Sequence, residues 1–258
     1  MTQASDDTSP ADTEATASFG YREVPRAAKE PLVRQVFDSV AQRYDLMNDL
    51  MSMGVHRLWT AALIDMVAPR GAPALLDVAG GTGDVAFRMQ DRAPRAQISV
   101  CDINEKMLSV GRDRAIDAGR LQGLDWVVGN AETLPFADGS FDAYTIAFGL
   151  RNVTDIDAAL REARRVLKPG GRFFCLEFSH VALPTLAKIY DQYSFTVLPL
   201  LGRLVAGDRE SYQYLAESIR KFPPQDELVA RLEASGLERA RYRNMTGGVV
   251  AIHSGWRL

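Results

Sequence analysis

An α/β fold, a mostly parallel sheet with helices on both faces, is what this chain of 258 residues predicts. Three observations carry that expectation. From Ala74 onward, short apolar runs alternate with helical stretches. The first run ends in a glycine-rich turn, Gly80-Gly-Thr-Gly83. The chain closes on two more strands joined through Asn244-Met-Thr-Gly-Gly248.

Met1 to Ser18 is rich in Ser, Thr, Asp and Ala and reads as a disordered tail. It has neither the basic start and apolar stretch of a secretory signal nor the arginines of a transit peptide. Residues 19–258 are expected to form one domain. Its first part, 19–71, reads as helical, with Leu32, Val33, Val36, Phe37 and Val40 at helical spacing and a second helix over Arg57 to Val67. Pro69, Gly71 and Pro73 end that region.

Strands are then expected at Ala74 to Ala79, Gln97 to Cys101, Leu124 to Val128, Phe141 to Ala147 and Arg172 to Phe178. Helices are expected at Asp84 to Gln90, Glu105 to Ala118 and Asp155 to Leu167, the last stopped by Lys168-Pro-Gly-Gly171. Residues 182–222, rich in Leu, Tyr and Phe, break the rhythm as a helical insertion on the substrate side. A helix over Gln225 to Ser235 leads to closing strands near Leu237 to Arg243 and Val249 to Ser254.

Apolar residues make up 47%, charged residues 24%, and the formal net charge is −3. That balance offers no basic stripe for a nucleic-acid backbone, so no nucleic-acid partner is expected. No run reaches the roughly 18–20 apolar residues of a membrane span. Cys101 and Cys175 sit in apolar strands, too far apart for a metal-ligand pair, so they read as buried thiols and no metal is expected.

The sharpest local signal is Asp77-Val-Ala-Gly-Gly-Thr-Gly-Asp84. Glycines there let a ligand approach backbone N–H groups at a helix N-terminus. Asp102, with Ile103 beside it, stands 19 residues after Gly83 and suits ribose hydroxyls. Gly81-Thr-Gly83-Asp-Val-Ala86 also fits a dinucleotide fingerprint, and any tight strand-to-helix turn uses glycines. Two features favour S-adenosylmethionine over NAD. Asp77 can face an amino group, whereas a pyrophosphate would be repelled by Asp84. Gly129-Asn-Ala-Glu132 closes the third strand with polar groups suited to adenine, and no Tyr-x-x-x-Lys pair of a dehydrogenase occurs.

Asp77 to Asp84, Asp102 and Leu167-Lys-Pro-Gly-Gly171 resemble the marks of class I methyltransferases, whose fold is a Rossmann-like sheet of seven strands with an antiparallel last strand. The chain is similar, more specifically, to the ubiquinone/menaquinone C-methyltransferases. The likeness rests on Val36-Phe-Asp-Ser-Val-Ala-Gln-Arg-Tyr-Asp-Leu-Met-Asn-Asp49, Gly54-Val-His-Arg-Leu-Trp59, Thr145-Ile-Ala-Phe-Gly-Leu-Arg-Asn-Val-Thr-Asp155, Tyr190-Asp-Gln-Tyr-Ser-Phe195, Glu210-Ser-Tyr-Gln-Tyr-Leu-Ala-Glu-Ser-Ile219 and Asn244-Met-Thr-Gly-Gly-Val-Val-Ala-Ile-His253.

That resemblance implies methyl transfer from S-adenosylmethionine, leaving S-adenosylhomocysteine, to a ring carbon of a polyprenyl benzoquinol (2-methoxy-6-polyprenyl-1,4-benzoquinol), demethylmenaquinol, or both. It carries over Thr82, Asp102, Asn130 and Ala131 as cofactor contacts, beside Asp77, Gly81, Gly83 and Ile103. Where some members have Ser, this chain has Ala147, which offers only backbone. A ring carbon becomes nucleophilic as a neighbouring hydroxyl loses its proton, so the site must orient the ring, promote phenolate character and exclude water.

Arg151 and Asn152, following the fourth strand, are candidates to stabilise a phenolate and to bond a ring oxygen. The alternative for Arg151 is a structural ion pair with an acid such as Asp155. Tyr44, Asp45, Asn48 and Asp49 cluster in a stretch that either lids the site or caps helices. Tyr44 and His56 are the catalytic candidates there; Asp45 or His56 could serve as a base, His56 being the better matched by its pKa. His180 and His253 read as structural. Residues 183–205 either line a channel for an isoprenoid tail or cover the core. Tyr190, Tyr193, Tyr212 and Tyr214 are aromatic candidates near the ring.

Three rivals stay open: a methyltransferase for another small hydrophobic acceptor, a nucleic-acid methyltransferase, and a non-catalytic S-adenosylmethionine-binding scaffold of a quinone-synthesis complex. The amino-methylating nucleic-acid type needs (D/N)-P-P-(Y/F) where Ala147-Phe-Gly-Leu150 stands. The expected location is the cytoplasm, with peripheral contact to the inner membrane, a homodimer and a quinone-biosynthesis complex as open alternatives.

Overall fold

The computed structural model of the protein describes residues 15–40, 49, 52, 54–181 and 209–258. The N-terminal region begins with a hairpin, β1 (Thr16–Phe19) and β2 (Arg22–Pro25), paired antiparallel with Phe19 opposite Arg22. This corrects the expected boundary: residues 16–18 belong to a strand, not to a tail, and 22–25 are extended rather than helical. Local pattern hides the hairpin because tertiary partners hold it. Phe19 stacks on Tyr214 at 4.2 Å, and the Tyr21 amide donates to Glu217 at 3.0 Å. Helices α1 (Arg26–Val40) and α2 (His56–Val67) follow.

Among the described residues the main sheet has seven strands: β3 (Ala74–Val78), β4 (Gln97–Asp102), β5 (Leu124–Val128), β6 (Phe141–Ala147), β7 (Leu167–Phe178), β8 (Glu238–Met245) and β9 (Val250–Trp256). Their order is β5-β4-β3-β6-β7-β9-β8. The pairings from β5 through to β7 are parallel, and β9 is antiparallel to both β7 and β8. Helices α3 (Asp84–Arg92), α4 (Glu105–Asp117) and α5 (Ile156–Val166) make the crossovers, and α6 (Arg209–Lys221) and α7 (Gln225–Ala234) precede the closing hairpin.

The central strands β3, β6 and β7 are buried on both faces, as parallel strands covered by crossover helices must be, whereas the edge strands β5 and β8 are half-buried or exposed. Along β3, Leu75 enters the core under α1, α2 and α3, while Leu76 and Val78 enter the opposite core under α5 and α7. Lys168-Pro-Gly-Gly171 is absorbed as an irregularity in β7. Leu167 pairs with Phe141 and Arg172 with Ala143, so the four residues between loop out, with Gly170 at φ 82°. No described helix is long and apolar enough to cross a membrane.

The strand order reverses direction at β3, where β4 lies on one side and β6 on the other. In open α/β sheets a ligand crevice forms beyond the carboxyl ends of strands at such a switch point. The carboxyl ends of β3, β4 and β6 carry Asp77, Asp102 and Ala147.

Candidate active site

The turn after β3 is built for close approach. Ala79 (φ 51°), Gly81 (φ 52°) and Gly83 (φ 85°) all take left-handed backbone. The Gly83 amide donates to the Gly80 carbonyl at 2.8 Å, closing the turn before α3. A Cβ on Gly83 would also stand 2.7 Å from the Trp126 ring, so glycine is required there twice over.

Asp102 ends β4 and organises the turn from the side. Its Oδ2 accepts from the Gly81 amide at 2.9 Å and its Oδ1 from the Asn104 amide at 2.8 Å. Burial raises its pKa to about 6, against the pull of those amides. Asp77 is 1% exposed. Its Oδ1 accepts from the Thr145 hydroxyl at 2.7 Å. Its Oδ2 is buried with no hydrogen bond of ordinary geometry among the described residues, the Ala86 amide giving only a weaker electrostatic pull. Burial is the dominant cause that lifts Asp77 to about 7.

Two neighbouring cavities open on this turn. The larger, a cleft of about 790 Å³, is lined by Gly81, Asp102, Ile103, Asn130 and Ala131 from the carboxyl ends of the strands, and by Asn152. Its other wall is α1, through Glu30, Val33, Arg34 and Phe37. The helix is tied down there. Asn104 Nδ2 donates to Asp38 at 2.9 Å, and Asn130 Nδ2 donates to Glu30 at 3.2 Å. The smaller cavity, about 430 Å³, is lined by Asp77, Thr82, Ala147 and His56. Ala79 and Phe148 line both.

A family match decides what this arrangement belongs to. The ubiE/COQ5 methyltransferase family matches residues 16–257. The chain belongs to that family. Among its relatives, the ubiquinone/menaquinone biosynthesis C-methyltransferase UbiE of Brucella abortus (strain S19) is 57% identical over 244 residues, covering 93% of this chain and 91% of that one. The UbiE of Brucella anthropi is 56% identical, covering 93% of each chain. Solved structures agree in fold. A possible histamine N-methyltransferase from Thermotoga maritima superposes with a TM-score of 0.61 at 18% identity, covering 88% of this chain and all (100%) of that one. A Haemonchus contortus phosphoethanolamine N-methyltransferase 2 in complex with S-adenosyl-L-methionine gives 0.53 at 19%, covering 72% and 38%.

As a ubiE/COQ5 methyltransferase, the protein takes S-adenosyl-L-methionine as methyl donor, and its own residues fit that molecule. Asp102 presents a carboxylate at the wall of the larger cleft. The Asp77 carboxylate, with one buried oxygen short of a partner, is what an ammonium group requires.

The sequence-predicted residues therefore divide. Gly81, Asp102, Ile103, Asn130, Ala131 and Asn152 meet at the larger cleft, and Asp77, Thr82, Ala147 and His56 at the smaller cavity. Gly83 lines neither; it shapes the turn and packs on Trp126. Tyr44, Asp45, Asn48, Tyr190 and Tyr193, and the insertion over 182–208, lie outside the described residues. Of the insertion, α6 is described, and its Tyr214 hydroxyl donates to Asn152 Oδ1 at 3.0 Å.

Arg151 is in an ion pair, with Glu177 rather than Asp155. Its Nη1 stands 2.9 Å from Glu177 Oε2, with side chains 3% and 1% exposed. Asp155 pairs instead with Arg26 at 2.8 Å. A guanidinium sealed this way does not face either cavity, which corrects the expectation that it meets the acceptor directly.

His56 Nδ1 shares a hydrogen bond with Ser52 Oγ at 2.9 Å, and burial lowers its pKa, so the ring is neutral near pH 7. His180 bonds the Phe222 carbonyl and His253 the Gln225 carbonyl, both packing roles. Burial pushes Cys101 up to about 12, so its thiol stays protonated.

Glu30, Phe37, Asn104 and Glu177 were not singled out from sequence as site residues. Glu177 had a legible signal, a lone acid within the apolar strand Arg172-Phe-Phe-Cys-Leu-Glu-Phe178. The α1 residues had none, because their helix repeat does not reveal which element they cover.

Proposed function

We propose that the protein methylates a ring carbon of a polyprenyl benzoquinol (2-methoxy-6-polyprenyl-1,4-benzoquinol), of demethylmenaquinol, or of both, in ubiquinone/menaquinone biosynthesis. The observation that carries this is the near end-to-end match to UbiE C-methyltransferases at 57% identity over 93% of the chain.

When bound, the donor supplies an electrophilic sulfonium methyl. Asp102 holds its ribose, Asn130 and Ala131 its adenine, and Asp77 with the Gly80–Gly83 turn its amino-acid end. Helix α1, roped to the strand ends through Asn104 and Asn130, serves as a lid that keeps water from the cleft.

The acceptor sits against Phe148, beside the donor cleft. Asn152, held by Tyr214, orients a ring oxygen. His56, neutral near pH 7 and facing the smaller cavity, takes the proton of the ring hydroxyl and so raises electron density on the neighbouring carbon. Ala147 contributes only its backbone and a methyl surface.

Complementation tests this reading. A strain lacking its quinone C-methyltransferase, supplied with this chain, regains its methylated quinone, and mass analysis separates the benzoquinone product from the naphthoquinone one. Continued accumulation of both demethylated precursors refutes it.

A further inference from the structure

We propose that Glu177 is a positioning residue for methyl transfer: through Arg151 it locks Phe148 in a left-handed backbone conformation, making that ring a fixed wall shared by the larger cleft and the smaller cavity. The proposal rests on the reading of the site given above and goes beyond it.

Phe148 has φ 56°, a conformation that a bulky side chain seldom adopts and that must be held by its surroundings. Both ends of its peptide are held. Its amide donates to the Leu176 carbonyl at 2.8 Å. Its carbonyl accepts from Arg151 Nη1, and from Asn152 Nδ2 at 3.5 Å.

Arg151 is in turn fixed by Glu177. Nη1 reaches both carboxylate oxygens, at 3.1 and 2.9 Å, and the Arg151 amide donates to Oε1 at 3.2 Å. The Phe178 amide completes the set, donating to Oε2 at 3.0 Å. Glu177 therefore sits at the hub of four donor contacts, three of which, from Arg151, join β7 to the segment after β6.

The next residue allows no slack. A Cβ on Gly149 would come within 2.3 Å of the Ala79 Cβ, so the segment cannot move toward the donor turn. The Phe148 ring then lies 4.9 Å from Phe178 and 6.3 Å from Trp59, between centroids. Phe148 lines both cavities, whereas Arg151 lines neither. The charge of Arg151 thus serves backbone geometry. Replacing a buried ion pair with apolar side chains of similar volume is often harmless to folding, so stability alone does not call for this pair.

The test compares Arg151→Met/Glu177→Leu and Glu177→Gln with the wild-type chain. Melting temperature and affinity for S-adenosylhomocysteine are measured first. Hydrogen exchange of the 148–152 amides follows, and then kcat and KM with a short-tailed quinol. The expected result is retained folding and near wild-type affinity, faster exchange at 148–152, and a kcat lower by ~100-fold, the penalty of a misplacement of about 1 Å. Glu177→Gln reads the same pair if the double variant does not fold.

A folded variant of either kind with wild-type kcat, or one whose exchange at 148–152 is unchanged, overturns the proposal. So does a loss of donor affinity in parallel with kcat, which would make the pair a support of the whole donor turn. A wild-type chain inactive on the quinol refutes the acceptor assignment instead, and the exchange measurement still decides the clamp.

Discussion

Replacing Asp77 with asparagine removes a charge that the fold itself pays for. The carboxyl is 1% exposed, and burial raises its pKa from 3.8 to about 7. A carboxyl with a raised folded pKa holds its proton in the folded state after the unfolded chain has released it. Folding stability is therefore lost as pH rises from about 4 towards 7, and the loss is complete above the folded pKa. With ~1.4 kcal/mol per pKa unit, the charged Asp77 costs roughly 4 kcal/mol by pH 8 and a little under 2 kcal/mol at pH 5.

The asparagine side chain cannot ionise, so the advantage of Asp77→Asn over the wild type, free of donor, grows by about 2–3 kcal/mol between those pH values. At roughly 2–4 °C per kcal/mol, that is an extra rise in melting temperature of about 5–10 °C. The assay is urea or thermal unfolding of both proteins at pH 5 and pH 8. The same variant loses donor affinity by calorimetry, since the ammonium group loses its carboxylate. An equal stability difference at the two pH values refutes the reasoning, because it shows that Asp77 does not titrate in this range.

Donor affinity itself falls with acid. On the proposed reading Asp102 (about 6) and Asp77 (about 7) meet ribose and ammonium as carboxylates, so S-adenosylhomocysteine binding is expected to weaken by about 10-fold or more from pH 8 to pH 6. A flat calorimetric profile counts against the pair. Asp102→Ala removes the ribose partner and frees the Gly81 and Asn104 amides, with an expected loss of roughly 100-fold or more in donor affinity; unchanged affinity sinks the assignment. Gly149→Ala drives a Cβ to 2.3 Å from Ala79 and is expected to cost about 1–3 kcal/mol in urea unfolding. A variant as stable as wild type shows that the turn yields. Asn152→Ala, which unhooks Tyr214, is expected to raise KM for the quinol more than it weakens donor binding; equal losses place it with the donor.

Most of the fold was legible because it is written in short-range pattern. The strands from Ala74 to Phe178 and the helices between them lie within a few residues of where apolar periodicity puts them. The donor turn was legible too, since Gly81 and Gly83 at positive φ need no distant partner to be recognised. What pattern hides is any element that depends on contact far along the chain. The β1–β2 hairpin is held by Tyr214 and Glu217, nearly 200 residues away, and nothing in its own four-residue strands marks it.

The chain by itself determined the chemistry at the carboxyl ends of β3 and β4. Glycine is the residue that tolerates a left-handed turn at little cost, and a carboxylate at a strand end faces the ligand crevice whatever covers it. The tertiary structure decided which residues cover and brace that crevice. Arg151 could have paired with Asp155, four positions away, but Asp155 caps α5 and pairs with Arg26. Glu177 on the adjoining strand takes Arg151 instead, because a buried guanidinium must find its carboxylate within the core. Helix α1 likewise covers the donor cleft through Asn104–Asp38 and Asn130–Glu30. Such pairings join residues 26 to 100 positions apart, and only folding brings them within hydrogen-bond reach.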